Sequence, residues 1–273
     1  MQVLSGQEVD VAVQALQAVA KYDVMRVKTY QRKENLVDRI FVAPIGSAIA
    51  LRFDDVGYFN RVYCADESVF AMLPKIEAFY REGPFGCELV GPPVAEFGNA
   101  STISRTGWTP ANCYAWMYAE DCRLIEPTHQ TTFVIRAPEP SQRQQFLTTY
   151  LRAFDAQEER FTAALRNMRH LFDRPELDFL IAWHGEKIAG VAMMMRDDRT
   201  ALLCAGAALP EYREMGCHGA LLAARIRLAC ESGCRQLYSW AALGGQSQSN
   251  MEKAGLSVVG TTTTWRLSPE SRV

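Results

Sequence analysis

The sequence is short of everything that would tie it to a membrane, a polyanion or a metal. No apolar run approaches the roughly 18 to 20 residues that a membrane span needs. The amino terminus has no basic patch ahead of an apolar stretch, so no secretory signal is read there. Charge is close to balanced, with 29 Lys and Arg against 31 Asp and Glu and a formal net charge of −2. That balance gives no reason to expect nucleic acid or an anionic membrane as a partner. The cysteines (Cys64, Cys87, Cys113, Cys122, Cys204, Cys217, Cys230 and Cys234) lie mostly in apolar segments and lack the spacing of metal ligands. Cys230 and Cys234 are close in sequence, but no second pair or histidine cluster completes a zinc site, and no metal is expected. All the cysteines are read as reduced packing residues of a cytoplasmic protein. A P-loop, a dinucleotide fingerprint and a serine-hydrolase elbow are also missing.

What is present is an ordinary globular composition: 273 residues, 48% of them hydrophobic, enough for one large or two medium domains. Val9, Val13, Leu16 and Ala20 recur at helical spacing and predict a helix over 8–21. Arg26 to Asp38 is polar and reads as a solvated helix face or a connector. Strands are expected over 45–53, 60–64, 87–90 and 112–118, with a helix between Val69 and Tyr80 that carries Pro74 in its first turn. Residues 126–131 are polar and turn-like, which places a boundary between domains 1–127 and 128–273. The second half reads as a strand at 132–136, helices over 142–154 and 158–171, and a hairpin (177–183 and 187–195) about His184-Gly185. A strand over 200–208, a long helix ended by Gly233, a strand at 236–240, a helix at 248–254 and a last strand at 258–266 follow.

The richest stretch runs from Leu209 to Arg227. An apolar strand leads into Pro-Glu-Tyr-Arg-Glu-Met-Gly-Cys-His-Gly, where Gly216 and Gly219 bracket a turn. An apolar stripe then begins at Leu222, Ile226, Ala229 and Cys230. Unpaired N–H groups and the positive end of the dipole make such a helix start a cradle for phosphate, and glycine lets an anion approach the backbone. Arg213 adds a basic group beside it.

Arg213-x-x-Gly216-x-His218 followed by Ala220-Leu-Leu resembles the acetyl-CoA loop of the GNAT N-acetyltransferase superfamily, Arg/Gln-x-x-Gly-x-Gly/Ala, with His218 where a small residue is usual. The order of elements from Thr132 onward also resembles that fold. The resemblance implies acetyl-CoA as cosubstrate and CoA as product. It implies a diphosphate held by the loop and helix start (Arg213, Glu214, Met215, Gly216, Cys217, His218, Gly219, Ala220), mainly through main-chain N–H groups. The pantetheine arm would lie on the free main chain of Ala207, Ala208 and Leu209. Ser249 and Asn250, in a segment like the superfamily's closing one, are candidates to bond the cofactor; helix capping is the competing reading. Met251 stands where many members have a tyrosine that protonates the leaving thiolate, and a thioether donates no proton.

The halves also resemble one another. Arg81–Leu89 lines up with Ala229–Leu237, and Ser104–Trp108 with Glu252–Leu256, at nearly the same offset. The expected fold is therefore α/β (α+β): two GNAT-like domains, each a mixed, mostly antiparallel sheet flanked by helices. Where the second half has its loop, the first has Tyr63 to Ser68, with Asp66 and Glu67 and no glycine. Those carboxylates would repel a diphosphate, so the first half is read as degenerate. No general base is assigned: Glu176, Asp178, Cys204, Tyr238 and Ser239 could reach the cleft, and a water chain would suffice. His218 is expected to face the loop or solvent, and Trp183 and Trp240 to be core or cleft wall. The activity implied is transfer of acetyl from acetyl-CoA to an amine, on a small molecule or a peptide, by a monomer or homodimer. A non-catalytic CoA-binding or regulatory protein is the alternative, and a purely structural tandem domain a third.

Overall fold

The computed structural model describes residues 6–91, 107–125, 132–156 and 161–267. They gather into two compact units, each discontinuous in sequence. One holds Met1–Trp116, Trp240–Leu243 and Val258–Val273; the other holds Met117–Ser239 and Gly244–Ser257. The linker expected at 126–131 and the repeat segment at 104–106 lie outside the described residues.

The first unit opens on α1 (Gly6–Lys33), followed by β1 (Ile40–Ile45), β2 (Ala48–Phe53), β3 (Arg61–Tyr63), α2 (Val69–Arg81), β4 (Cys87–Val90) and most of β5 (Trp108–Ala119). Nearly all of the last strand, β11 (Ser257–Leu267), belongs here too, and the sheet order is β1-β2-β3-β4-β11-β5. Its core packs Val69, Leu73, Ile76 and Tyr80 of α2 against Ala50, Val62 and Leu89, with Trp265 and Leu267 of β11 beside them. Helix α1 runs well past the predicted end. Arg26, Val27, Thr29 and Tyr30 are buried rather than solvated, because Asp23 one turn earlier neutralises Arg26. The strand expected over 45–53 is instead a hairpin, β1 against β2, with Ile45 opposite Ala48. Pro74 lies inside α2 beyond its first turn.

In the second unit come β6 (Val134–Arg136), α3 (Arg143–Ala153), α4 (Phe161–Met168), β7 (Leu177–His184), β8 (Lys187–Asp197), β9 (Thr200–Ala208), α5 (Cys217–Glu231), β10 (Gln236–Ala242) and α6 (Gln246–Lys253). The strand order is β10-β9-β8-β7-β6, antiparallel except for β9 with β10. The β7–β8 hairpin turns where His184-Gly185 predicted it. Helix α5 is built for close approach: Ala220, Leu221 and Ala224 pack on Ala182, Ala189, Ala192 and Ala208, side chains small enough to bring the helix down onto the strands. Residues 158–160 of the predicted second helix lie outside the described residues.

The expectation of eight thiols is corrected. Cys122, after β5, and Cys230, in the last turn of α5, form a disulfide across 108 residues of sequence, and six thiols remain. Cys122 is buried and Cys230 half-buried, and that they meet depends on where α5 ends in space. Among the described residues no helix is long and apolar enough to cross a membrane.

Candidate functional site

Strand β9 has two different edges. Toward β8 it is paired almost to its end, Ala207 opposite Val191 and Ala208 opposite Gly190, and the Leu209 N–H continues the ladder onto Ala189 O at 2.8 Å. Antiparallel hydrogen bonding alternates along a strand, so Ala207 and Leu209 turn their main-chain groups to β8, while Gly206 and Ala208 turn theirs away. Toward β10 the parallel pairing covers only Thr200, Ala201 and Leu202, opposite Gln236, Leu237 and Tyr238. Beyond Leu202, β9 has no ladder partner on that side among the described residues. The Ser239 hydroxyl donates to Leu203 O at 3.1 Å, just past the point of parting. Of the three strand residues expected to bind through free main chain, Ala207 and Leu209 are engaged with β8, while Ala208, like Gly206, turns its main-chain groups away from it.

The end of β9 leads through a single 3-10 turn, Pro210–Tyr212, into the loop. Glu214 is left-handed at φ +63°, Met215 is exposed, and Gly216 is left-handed at φ +84° as the residue before α5. A Cβ on Gly216 would meet nothing within 4 Å, so its requirement is backbone conformation and not space. The first helical bond runs from the Ala220 N–H to Gly216 O at 2.9 Å. The N–H groups of Cys217, His218 and Gly219 point out of the helix start with no intrahelical acceptor. Gly219 is not part of the turn but a buried helical residue. Cys217 is buried as well, and burial pushes its thiol up to about 12, which excludes it as a thiolate nucleophile. Arg213 reaches back to Ala153 O at 3.4 Å and Asp155 at 3.5 Å, so its charge is tied to the end of α3.

His218 does not face solvent. Because α5 begins at Cys217, its side chain falls on the face turned to β9, where the ring bonds to the Gly206 main chain and, through Nδ1, to Asn250 Nδ2 at 3.1 Å. An amide NH2 is a donor, so Nδ1 accepts and Nε2–H donates to the Gly206 carbonyl. Burial, with Arg225 nearby, lowers the imidazole to about 4, and it is neutral at physiological pH. Asn250 and Ser249 lie inside α6, whose N-cap is Gly245, which rules out their capping reading. Met251, next to Asn250, is buried.

Arg225, on the same face of α5 two turns beyond His218, is 1% exposed. Its Nη1 donates to Ala205 O at 2.9 Å and its Nε to Leu221 O at 3.3 Å, while Nη2 is buried without a partner. Burial lowers it to about 10, still a cation at neutral pH. The sequence signal for it was a charge on an otherwise apolar stripe, in register with His218.

The other candidates have partners of their own. Glu176 is paired with Arg174 and Asp178 with Arg196, so neither carboxylate is free. The Tyr238 hydroxyl donates to Gln236 Oε1 at 3.3 Å, and burial raises it to about 12. Cys204 is buried with its thiol on Leu202 O at 3.3 Å. Trp183 is buried under the Arg136 guanidinium.

The corresponding place in the first unit is closed. Parallel β3 and β4 stay paired throughout, Arg61 to Tyr63 opposite Glu88 to Val90, and the Cys64 N–H extends the ladder to Val90 O at 3.1 Å. Asp66 sits at the start of α2 and accepts from the Ser68 N–H at 2.8 Å; bonds from the Ser68 hydroxyl and amide hold its carboxyl below the usual range. Asp66 thus takes the Ser68 N–H just ahead of α2, while the Phe70 and Ala71 N–H groups bond to Glu67 O and Ser68 O, both at 3.2 Å.

Strand parting beside a glycine-entered helix, in a mixed and mostly antiparallel sheet, defines the class of the second unit as an α/β domain. Residues 127–246 match the family described as acetyltransferase (GNAT) domain. That match spans 120 of the chain's 273 residues. Solved structures share its fold. A GCN5-related N-acetyltransferase from Kribbella flavida is 17% identical, with 89% of this chain and 95% of that one covered and a TM-score of 0.60. One from Sphaerobacter thermophilus is 14% identical, covers 83% and 82%, and scores 0.61. A tandem GNAT protein from the clavulanic acid biosynthesis pathway is 12% identical, covers 81% and 78%, and scores 0.58. No curated protein matches the chain.

Proposed function

We propose that the second unit is an N-acetyltransferase that passes the acetyl group of acetyl-CoA directly to an amine on a small molecule or peptide. The observation that carries this is the parting of β9 from β10 after Leu202, on the same strand that runs into the left-handed Gly216 and the start of α5. The residues fit the group. The N–H groups of Cys217, His218 and Gly219 converge on a diphosphate, and each charge-assisted bond contributes about 1.5–3 kcal/mol. The outward main-chain groups of Ala208 and the N–H of Gly206, whose carbonyl already accepts from His218, match an arm built of amides. Acetyl-CoA supplies the activated thioester. The chain holds the acyl carbonyl by a main-chain N–H of β9 and leaves the amine's proton to water, since Glu176 and Asp178 are committed to arginines. One cosubstrate is bound per chain, because β3 and β4 of the first unit stay paired to Val90 and Asp66 sets a carboxylate just ahead of α2.

A second reading, CoA binding without turnover, is favoured by one observation: buried Met251 stands where a proton donor is usual. Thermal shift with acetyl-CoA, followed by a panel of amine acceptors with thiol-release detection, separates the two. Stabilisation with thiol release supports transfer; stabilisation with no release from any amine supports the second reading; no stabilisation overturns both.

A further inference from the structure

Burying an unpaired charge is among the costliest things a fold can do. Among the described residues the chain avoids it at its other buried arginines. Arg26 is paired with Asp23, and Arg52 with Asp54 and Glu82. Arg225 is as deeply buried, yet among the described residues its partners are only the carbonyls of Leu221 and Ala205, and Nη2 has none. The guanidinium lies over Gly206: a Cβ there would fall 2.6 Å from Nη2, so the side-chain space of Gly206 is what the cation fills. Gly206 lies on the stretch of β9 beyond the last β10 pair. Among the described residues, a cation without an anion therefore faces the segment of β9 that has no ladder partner on the β10 side. The ionisable groups facing it are Cys204 on β9 and His218 on α5, and the imidazole is held neutral by its own burial.

We propose that Arg225 is a catalytic residue that stabilises the CoA thiolate as the acyl–sulfur bond breaks, replacing a proton donor by a fixed positive charge. This rests on the acetyl-CoA reading given above. The amine nitrogen forms its bond to the acyl carbon, the carbon–sulfur bond breaks, and its electron pair stays on sulfur. The amine's proton goes to water, and the thiolate leaves as an anion beside the guanidinium. Buried Met251, which donates nothing, is then no defect. An arginine serves here better than a lysine would, since even when buried it keeps its charge while one donor holds its own helix at Leu221 O and another ties α5 to β9 at Ala205 O.

The test titrates the thiol of CoA bound to the intact protein, by thiolate ultraviolet absorbance, with desulfo-CoA as the reference that removes the protein's own thiols. The expected result is an acid constant of bound CoA raised at least about tenfold over free CoA, one pKa unit. It should return to the free value in Arg225→Met with CoA still bound, and stay raised in Arg225→Lys. A free-like thiol pKa on CoA bound to the wild-type protein overturns the proposal, and needs no variant to fold. A lowered value that survives in Arg225→Met also overturns it. If CoA does not bind at all, the acetyl-CoA reading falls, and this one with it.

Discussion

Replacing Gly216 by alanine isolates the conformation of the turn from its packing. At φ +84° an L-residue is left-handed, at about 1–2 kcal/mol, while the added Cβ meets nothing within 4 Å. Gly185 supplies the matched control: φ +60°, nothing within 4 Å, but in the β7–β8 hairpin rather than at the start of α5. Both alanine variants should lose about 1–2 kcal/mol of stability, with Tm falling roughly 2–4 °C per kcal/mol for a chain of this size. They should part company when acetyl-CoA is added. Ligand at a hundred times its Kd stabilises by about 2.7 kcal/mol, and wild type and Gly185→Ala should show that increment in full. Gly216→Ala should lose most of it, because relieving a positive φ rotates the N–H groups of Cys217 and His218 off their common focus. Scanning calorimetry with and without ligand measures both quantities. An undiminished ligand increment in Gly216→Ala would refute the assignment of this turn as the cradle.

Three further outcomes follow from the geometry. Isothermal titration should find one acetyl-CoA per chain, and Asp66→Ala should not create a second site, because β3 and β4 remain paired to Val90; two equivalents bound would contradict this. Alkylation of the denatured, unreduced protein should block six cysteines and block Cys122 and Cys230 only after reduction, as read by mass; eight blocked at once would remove the disulfide. His218 titrates near 4 in the folded chain against an ordinary 6.5, so the unfolded state binds the extra proton between those values. Stability should therefore be complete above pH 6.5 and fall as pH drops toward 4. The slope attributable to His218 is at most about 1.4 kcal/mol per pH unit, and denaturant titrations on His218→Gln should show it gone.

The sequence by itself determined what depends on near neighbours. Gly216 before an apolar helical stripe marks a left-handed entry to a helix, because no other residue takes that conformation without cost and the stripe follows at once. The hairpin at Gly185, the apolar strand over 200–208 and the carboxylates at 66 and 67 were legible for the same reason: each is a property of a few consecutive residues. Only the tertiary structure decided that β11 joins the first unit beside β4, since a strand's pattern states which faces are apolar and not which strand it pairs with. It decided that Cys122 meets Cys230, a contact across 108 residues for which no local signal exists. It decided too that His218 turns inward onto Gly206 and Asn250, because the direction of a side chain at a helix start depends on where that helix begins and what packs against it. The buried cation at Arg225 is the clearest case. In sequence it is one of three charges on α5, with Arg227 and Glu231, and its significance comes from α5 lying over the glycine of β9, in a place where the strand has no ladder partner on the β10 side among the described residues.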